Sequence, residues 1–324
     1  MRQNTLGRGE IGVSELSFGS AGIGNLYTPV EPEQAAAAVD AAWDAGIRYF
    51  DTAPHYGIGL AERRLGEALS ARPRAEYTLS TKVGRLLEPL PAAEGDDLAN
   101  GFAVPATHRR VWDFTADGVR RSIEESLERL GTDHVETVFL HDPDQHVAEA
   151  FGQAYPALER LRAEGVVGAI GAGMNQTAVL TRFLRDTDID VVLCAGRHTL
   201  LDQSALDHLL PEAVARGRSV IVGGVFNSGL LADPRPGATY DYTAAPPALL
   251  ERALRIKAVA ERHGVPLRAA ALAYPLRHPA VASVLVGTRS AEEVRDAADM
   301  YGRQVPDALF DDLRAEGLLE GGAR

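Results

Sequence analysis

Short apolar runs alternate with longer amphipathic stretches along most of the chain. The runs are LSFGSA, IRYFDTA, YTLSTKV, VETVFLH, VVGAIGA, DVVLCAG, SVIVGGV and ASVLVGT, and each is nearly continuous in apolar residues instead of strictly alternating. Strands covered on both faces read this way, so the pattern predicts eight parallel strands. Between them, stretches such as PEQAAAAVDAAWDAG and TADGVRRSIEESLERLG have helical spacing, with Asp or Thr near the start and Gly just past the end. Strand and helix alternating eight times predicts an α/β fold, a (β/α)8 TIM barrel, with a doubly wound open sheet as the alternative. LGRGEIGVSE reads as an N-terminal hairpin, and PDALFDDLRAEGLLE as a last helix before the tail GGAR.

No Pro-, Gly- or Ser-rich linker divides the chain, so residues 1–324 read as a single barrel domain. Two connections, Gly84 to Phe114 and Phe226 to Pro246, are too long for plain barrel loops. Long ordered loops in compact domains usually cover or bind something.

Barrels of this kind work at the C-terminal ends of their strands. Asp51 ends the second predicted strand in RYFDTAPHYG, Tyr56 follows in its loop, Lys82 closes the third strand and His141 the fourth. Neighbouring strands thus aim a carboxylate, a phenol, an ammonium and an imidazole at one mouth. A free phenol ionises near pH ~10, and a cation within a few ångströms lowers that by about 1 to 3 units. On this reading Lys82 makes Tyr56 a general acid or base for a carbonyl and alcohol pair, Asp51 holds the ammonium, and His141 meets the oxygen being converted. No Ser or Cys has an evident base partner, so no activated nucleophile is expected. His55 has no part in the group and reads as pocket lining.

Charge narrows the classes further. With 33 basic and 45 acidic residues the formal charge is -12, which disfavours a nucleic-acid partner. The densest basic run, THRR at Thr107 to Arg110, reads as solvated surface. Cys194 is the sole cysteine, which excludes an intrachain disulfide or a multi-thiolate metal site, and within DVVLCAG it reads as an inert core thiol. The N-terminus has no apolar signal core and no 18-residue apolar run occurs, so a cytoplasmic protein without membrane contact, acting on a small molecule, is expected. The sequence does not disclose an oligomeric state.

Asp51 in YFDTAPHYG, Tyr56, Lys82 in STKVGR and His141 in FLHDPD match the tetrad of the aldo-keto reductase superfamily, which the chain resembles over nearly its whole length. FGSAGIGNLY, FDTAPHYGIGLAERRLGEAL, LSTKVGRLL, SLERLGTDHVETVFLHDPD and GAGMNQ are similar to the branch holding L-fucose, D-threo-aldose and L-galactose dehydrogenases and pyridoxal 4-dehydrogenase. The resemblance implies a nicotinamide-dependent barrel that oxidises a cyclic hemiacetal, the anomeric C1 of an aldose or the hemiacetal of pyridoxal, to a lactone. It implies that Asn175 orients the nicotinamide, that Asn227, Ser228, Gly229 and Leu230 in FNSGLL hold the pyrophosphate, and that Gly287, Thr288 and Arg289 reach the adenosine end.

Some positions depart from the family pattern. Where many relatives stack an aromatic on nicotinamide the chain has Gly223 and Gly224, leaving Phe226 as the substitute. The adenine-contacting pair is Asp296 and Ala297, one contact short. Glu293 stands where NADP-preferring members often place an arginine, which leans the cofactor, NAD(P) in general, toward NAD, while Arg289 pulls the other way. Ser20, Tyr27, His55 and Trp112 are the candidate substrate contacts, with Phe102 and His108 beside Trp112 in the first long connection and Tyr240 and Tyr242 in the second. Three other readings stay open: a carbonyl reductase running the chemistry backwards, a metal-dependent hydrolase built on His55, His141, Asp142 and Asp144, and a non-catalytic sensor of nicotinamide.

Overall fold

The structure is a computed structural model that describes residues 1–320 apart from Glu10, Glu94 and Tyr242. Tyr242 and the GGAR tail therefore lie outside the described residues. The eight apolar runs form one closed barrel: β1 (Leu16–Gly19), β2 (Tyr49–Asp51), β3 (Thr78–Val83), β4 (Thr137–His141), β5 (Ala169–Met174), β6 (Val191–Ala195), β7 (Ser219–Gly223) and β8 (Val281–Gly287). All neighbours pair in parallel, and β8 closes on β1 through Val284 opposite Leu16.

Strand alternation divides the apolar residues into two layers. Phe50, Leu79, Val138 and Leu140 face outward into the helices, while Tyr49, Phe139, Val191, Leu193, Ile221 and Leu285 fill the interior. The N-terminal hairpin pairs Gln3–Thr5 with Gly12–Ser14, and its Leu6 and Val13 join the interior cluster as a plug. The covering helices obey local rules. Ala116–Leu130, for example, starts on Thr115, whose side chain accepts from the Gly118 amide, and ends at Gly131 with φ 63°.

Both long connections carry secondary structure of their own. Gly84 to Phe114 contains the pair Arg85–Pro89 with His108–Trp112, and the shorter pair Asp96–Asp97 with Phe102–Pro105. Phe226 to Pro246 contains Thr239–Tyr240 paired with Thr243–Ala244. THRR is thus partly strand, and the expectation that it is solvated surface fails at Arg110, whose side chain is only 11% exposed and ion-paired to Asp97. Cys194 is fully buried, and burial pushes its thiol up to about 12. Among the described residues no helix is long and apolar enough to cross a membrane.

One buried carboxylate ties the wall of the barrel to its covering helices. Glu62, on helix Leu60–Leu69, accepts from Thr81 Oγ1 of β3 at 2.8 Å and from Arg129 Nε of helix Ala116–Leu130 at 2.6 Å. Thr81 directly precedes Lys82, so this contact also steadies the strand end that carries the ammonium. Glu62→Gln is expected to lower stability by about 3–5 kcal/mol in urea denaturation, because Arg129 loses its buried partner. Asp40→Asn, at the exposed Arg72 pair, should cost under about 1 kcal/mol.

Candidate active site

The alternation that buries Tyr49 also turns Asp51 inward, two residues later on β2. On β3, Ser80 and Lys82 point the same way, and on β4 so do Phe139 and His141. Their contacts form a chain. Tyr49 Oη lies 2.8 Å from Ser80 Oγ, which donates to Asp51 Oδ1 at 2.7 Å. Lys82 Nζ donates to Asp51 Oδ2 at 2.6 Å, to the Thr52 carbonyl at 2.9 Å and to Tyr56 Oη at 3.0 Å. An ammonium has three N–H groups, and all three are accounted for. Lys82 and Asp51 are 2% and 1% exposed, so their pairing prevents two uncompensated buried charges.

Tyr56 is placed by a turn that needs glycine. Gly57, Ile58 and Gly59 all take left-handed conformations, with φ of 60°, 53° and 75°. A Cβ on Gly57 would sit 2.2 Å from the Gly24 carbonyl oxygen, so the loops after β1 and β2 can pack this closely only because no side chain is there. The first long connection covers the phenol's other side. Ile58, Leu87, Phe102 and Val104 form a small apolar cluster against which Tyr56 packs, with the Phe102 ring 6.1 Å from it. His141 stands edge-on to Tyr56, ring centres 5.8 Å apart.

Electrostatics sets the protonation states. Burial alone would favour neutral Lys82, but Asp51 and the Tyr56 oxygen outweigh it and hold the ammonium above its ordinary value. Burial, with Arg85 and Lys82 nearby, pushes His141 well below the usual imidazole range, so it is neutral. Burial raises the Tyr56 phenol, Lys82 pulls it down, Asp51 raises it again, and the sum lies above the ordinary tyrosine value. The expectation that Lys82 would make Tyr56 unusually acidic is thus corrected. The ammonium is at hydrogen-bond distance and acts downward, yet the apolar lid costs the phenolate more.

A cavity of about 830 Å³ opens beside Asp51 and Tyr56 and extends to Asp296, a volume ordinary for a small-molecule site. Asn175, Phe226, Asn227, Ser228 and Gly229 line it, as do Gly287, Thr288, Arg289, Glu293 and Tyr27. Leu230 and Ser20 are fully buried and do not line it. Trp112, 44% exposed, lines a second space of about 280 Å³ with Arg85, Asp142 and Asn175. His55 sits between Phe102 and His141 beside the Tyr56 mouth and, like His141, lies outside the walls of both spaces. Tyr240 bonds to Asp202, and His108 contacts Thr107 on its hairpin.

The cavity wall offers unpartnered polar atoms and open backbone. Asn227 Oδ1 and Thr288 Oγ1 are buried with no partner among the described residues, and open space lies where Cβ atoms on Gly229 and Gly287 would be. Asn227 and Ser228 are left-handed, at φ 46° and 56°, a strained turn held by Asn227 Nδ2 on the Gly196 carbonyl and Thr239 Oγ1 on the Ser228 carbonyl. At the far end Ser290 caps helix Ala291–Gly302 by accepting from the Glu293 amide, and the Glu293 carboxylate accepts from the Arg289 amide at 2.8 Å. Arg268, which the sequence reading missed, lines this end and bonds Asp296 at 2.7 Å.

A closed eight-stranded barrel with Asp51, Tyr56, Lys82 and His141 gathered at one mouth beside a large cavity is the arrangement found here. The chain belongs to the aldo/keto reductase family, whose model matches residues 15–315. It is 44% identical to the D-threo-aldose 1-dehydrogenase of a Pseudomonas species, over 95% of each chain. It is 39% identical to the pyridoxal 4-dehydrogenase of Microbacterium luteolum over 98% of each. The L-galactose dehydrogenase of Arabidopsis thaliana is 34% identical over 90% of this chain and 85% of that one. Among solved structures, an aldo-keto reductase from Bacillus halodurans in its holo form superposes with a TM-score of 0.76 at 26% identity, covering 99% and 97% of the two chains.

A raised phenol has a kinetic signature. If Tyr56 is the group that accepts the proton in oxidation, kcat/KM in that direction should climb through pH 7 to 10, approaching tenfold per unit. Tyr56→Phe should bind dinucleotide as the parent does, turn over about 10²–10⁴-fold more slowly, and lose the slope. Comparable turnover in that variant would remove Tyr56 from the chemistry.

Proposed function

We propose that this enzyme oxidises the anomeric carbon of an aldose, of the L-fucose or D-threo-aldose type, to the lactone, passing hydride to NAD(P). The observation that carries the reading is the unbroken contact series Asp51–Lys82–Tyr56, 2.6 and 3.0 Å, at the mouth of the cavity. The relative named D-threo-aldose 1-dehydrogenase supports the substrate class.

The bound nicotinamide would supply the acceptor for a hydride. The residues handle everything else. Tyr56, as phenolate, takes the anomeric hydroxyl proton while C1 gives up its hydrogen with both electrons, so that the C1–O single bond becomes the lactone carbonyl. Lys82 stabilises the phenolate through the 3.0 Å contact, and Asp51 keeps Lys82 charged. Neutral His141 can donate to the same oxygen. Asn175 would hold the nicotinamide end, Asn227 to Gly229 the pyrophosphate, and Thr288 and Arg289 the adenosine end.

We read the cofactor as NAD in preference to NADP. Glu292, Glu293 and Asp296 line the adenosine end, and its two cations are engaged, Arg268 by Asp296 and Arg289 by Thr28 Oγ1 at 2.5 Å. A ribose 2′-phosphate would meet carboxylates where a 2′-hydroxyl could donate to one. The second reading is pyridoxal oxidation. It draws on the 39% identical relative and on the exposed Trp112, stacked on Phe114 with the Arg85 guanidinium 4.4 Å from its ring centre. Metal-dependent hydrolysis draws no support, since His55 Nδ1 faces an arginine N–H, and among the described residues no three metal-binding side chains are grouped.

A spectrophotometric screen of L-fucose, L-galactose, D-arabinose and pyridoxal with each dinucleotide tests this. The expected result is highest kcat/KM for an aldose with NAD; pyridoxal alone, or a strong NADP preference, would overturn the respective part.

A further inference from the structure

His55 has partners that its neighbours in the sequence do not announce. Arg110, on the far strand of the first long connection, donates from Nε to His55 Nδ1 at 2.5 Å and from Nη2 to the His55 carbonyl at 2.9 Å. The same guanidinium grips Asp97 with two bonds, Nη1 to Oδ1 at 2.7 Å and Nη2 to Oδ2 at 2.6 Å. Asn100 Nδ2 donates to Asp97 Oδ1 at 2.8 Å. The Arg110 and Asp97 side chains are 11% and 5% exposed.

This arrangement decides the tautomer. A guanidinium has only donors, so Nδ1 must offer its lone pair, and the proton of the neutral ring then sits on Nε2. Protonating Nδ1 would set one N–H against another on a cation. The remaining titratable neighbours reinforce the neutral state: His141 lies 5.7 Å away and Tyr56 6.1 Å, ring centre to ring centre, Asp97 is spent on Arg110, and Phe102 walls the ring edge-on at 5.2 Å. Burial, then the positive charges of Arg85, Arg110 and Lys82, drive the imidazole down to about 2. Nε2 donates to no described residue and, unlike the two nitrogens of His198, is not sealed from solvent.

We propose that His55 is a fixed hydrogen-bond donor to the substrate, its Nε2–H set by the Asp97–Arg110 pair and offered to an oxygen next to the one being oxidised. Asp97 and Arg110 are then positioning residues, and the first long connection helps choose the substrate by fixing a tautomer as well as by covering the pocket. The oxygen-rich ring of an aldose presents such a neighbour, as a hydroxyl or ring oxygen. The inference rests on the Tyr56 mouth being where hydride transfer occurs.

Nitrogen-15 NMR of imidazole-labelled, unmutated enzyme is the direct test. His55 should show an unprotonated Nδ1 and a protonated Nε2, unchanged from pH 5.5 to 8; a protonated Nδ1, or titration in that range, would overturn the proposal. Kinetics supplies the second arm, using the aldose turned over fastest in the screen above. Asp97→Leu/Arg110→Met removes both charges, so no buried ion is left alone. It should free the ring to carry its proton on either nitrogen, so that Nδ1 is protonated in part of the molecules, and cost about 10-fold in kcat/KM. In a His55→Gln background, whose amide donates without a tautomer to fix, the same double change should cost under about 2-fold. Equal losses in both backgrounds would mean a structural role only and refute the proposal. Failure of the underlying site is separately visible, since Tyr56→Phe would then keep its turnover.

Discussion

A buried ammonium with all its hydrogens committed is the constraint around which the rest is arranged. Lys82, on β3, must satisfy Asp51, the Thr52 carbonyl and Tyr56 at once, and those groups come from the end of β2 and the loop that follows it. An ion pair this buried contributes little net stability compared with packed apolar side chains, though removing one partner is costly. Its value is positional. The barrel interior accommodates it by becoming polar on one side: Ser80 and Tyr49 complete Asp51, and Ser17 and Ser283 bond each other at 2.7 Å, while β4, β6 and β7 supply Phe139, Leu193 and Ile221.

The two long connections extend this arrangement to opposite sides of the mouth. The first covers Tyr56 with Phe102 and reaches His55 through Arg110; its Trp112 borders the smaller space beside Asp142. The second supplies the left-handed turn at Asn227 and Ser228, and is anchored by Arg197 on Asp241 at 2.7 Å. Apolar covering strengthens every electrostatic contact beneath it, and it also raises the cost of ionising the phenol. Tyr56 therefore carries a compromise between being shielded and being charged.

Much of this was legible in the sequence, and the limits are physical. Strands buried on both faces announce themselves as continuous apolar runs, and all eight fell where those runs lie. Asp51, Lys82 and His141 were readable because a strand end in a barrel has one destination. Ser80 could have been found by the same alternation, two residues before Lys82. Asp97 and Arg110 could not, since their pairing depends on the fold of the Gly84 to Phe114 segment, and a basic run looks the same whether solvated or buried. The sign of the Tyr56 shift differs from the sequence expectation for a related reason: the cation is visible in sequence order, whereas the covering by Phe102 and Leu87 is not.

Whether Lys82 governs Tyr56 can be measured without turnover. Carbon-13 NMR of ring-labelled tyrosine, titrated in the parent enzyme and in Asp51→Asn/Lys82→Met, reads the Tyr56 ionisation itself, and the double change avoids stranding a buried carboxylate. With both charges gone, the Tyr56 midpoint should move to still higher pH, because the downward pull lost with Lys82 exceeds the upward push lost with Asp51, and burial remains. An unchanged or lower midpoint would show that Lys82 does not control the phenol, and the account of the site would fail.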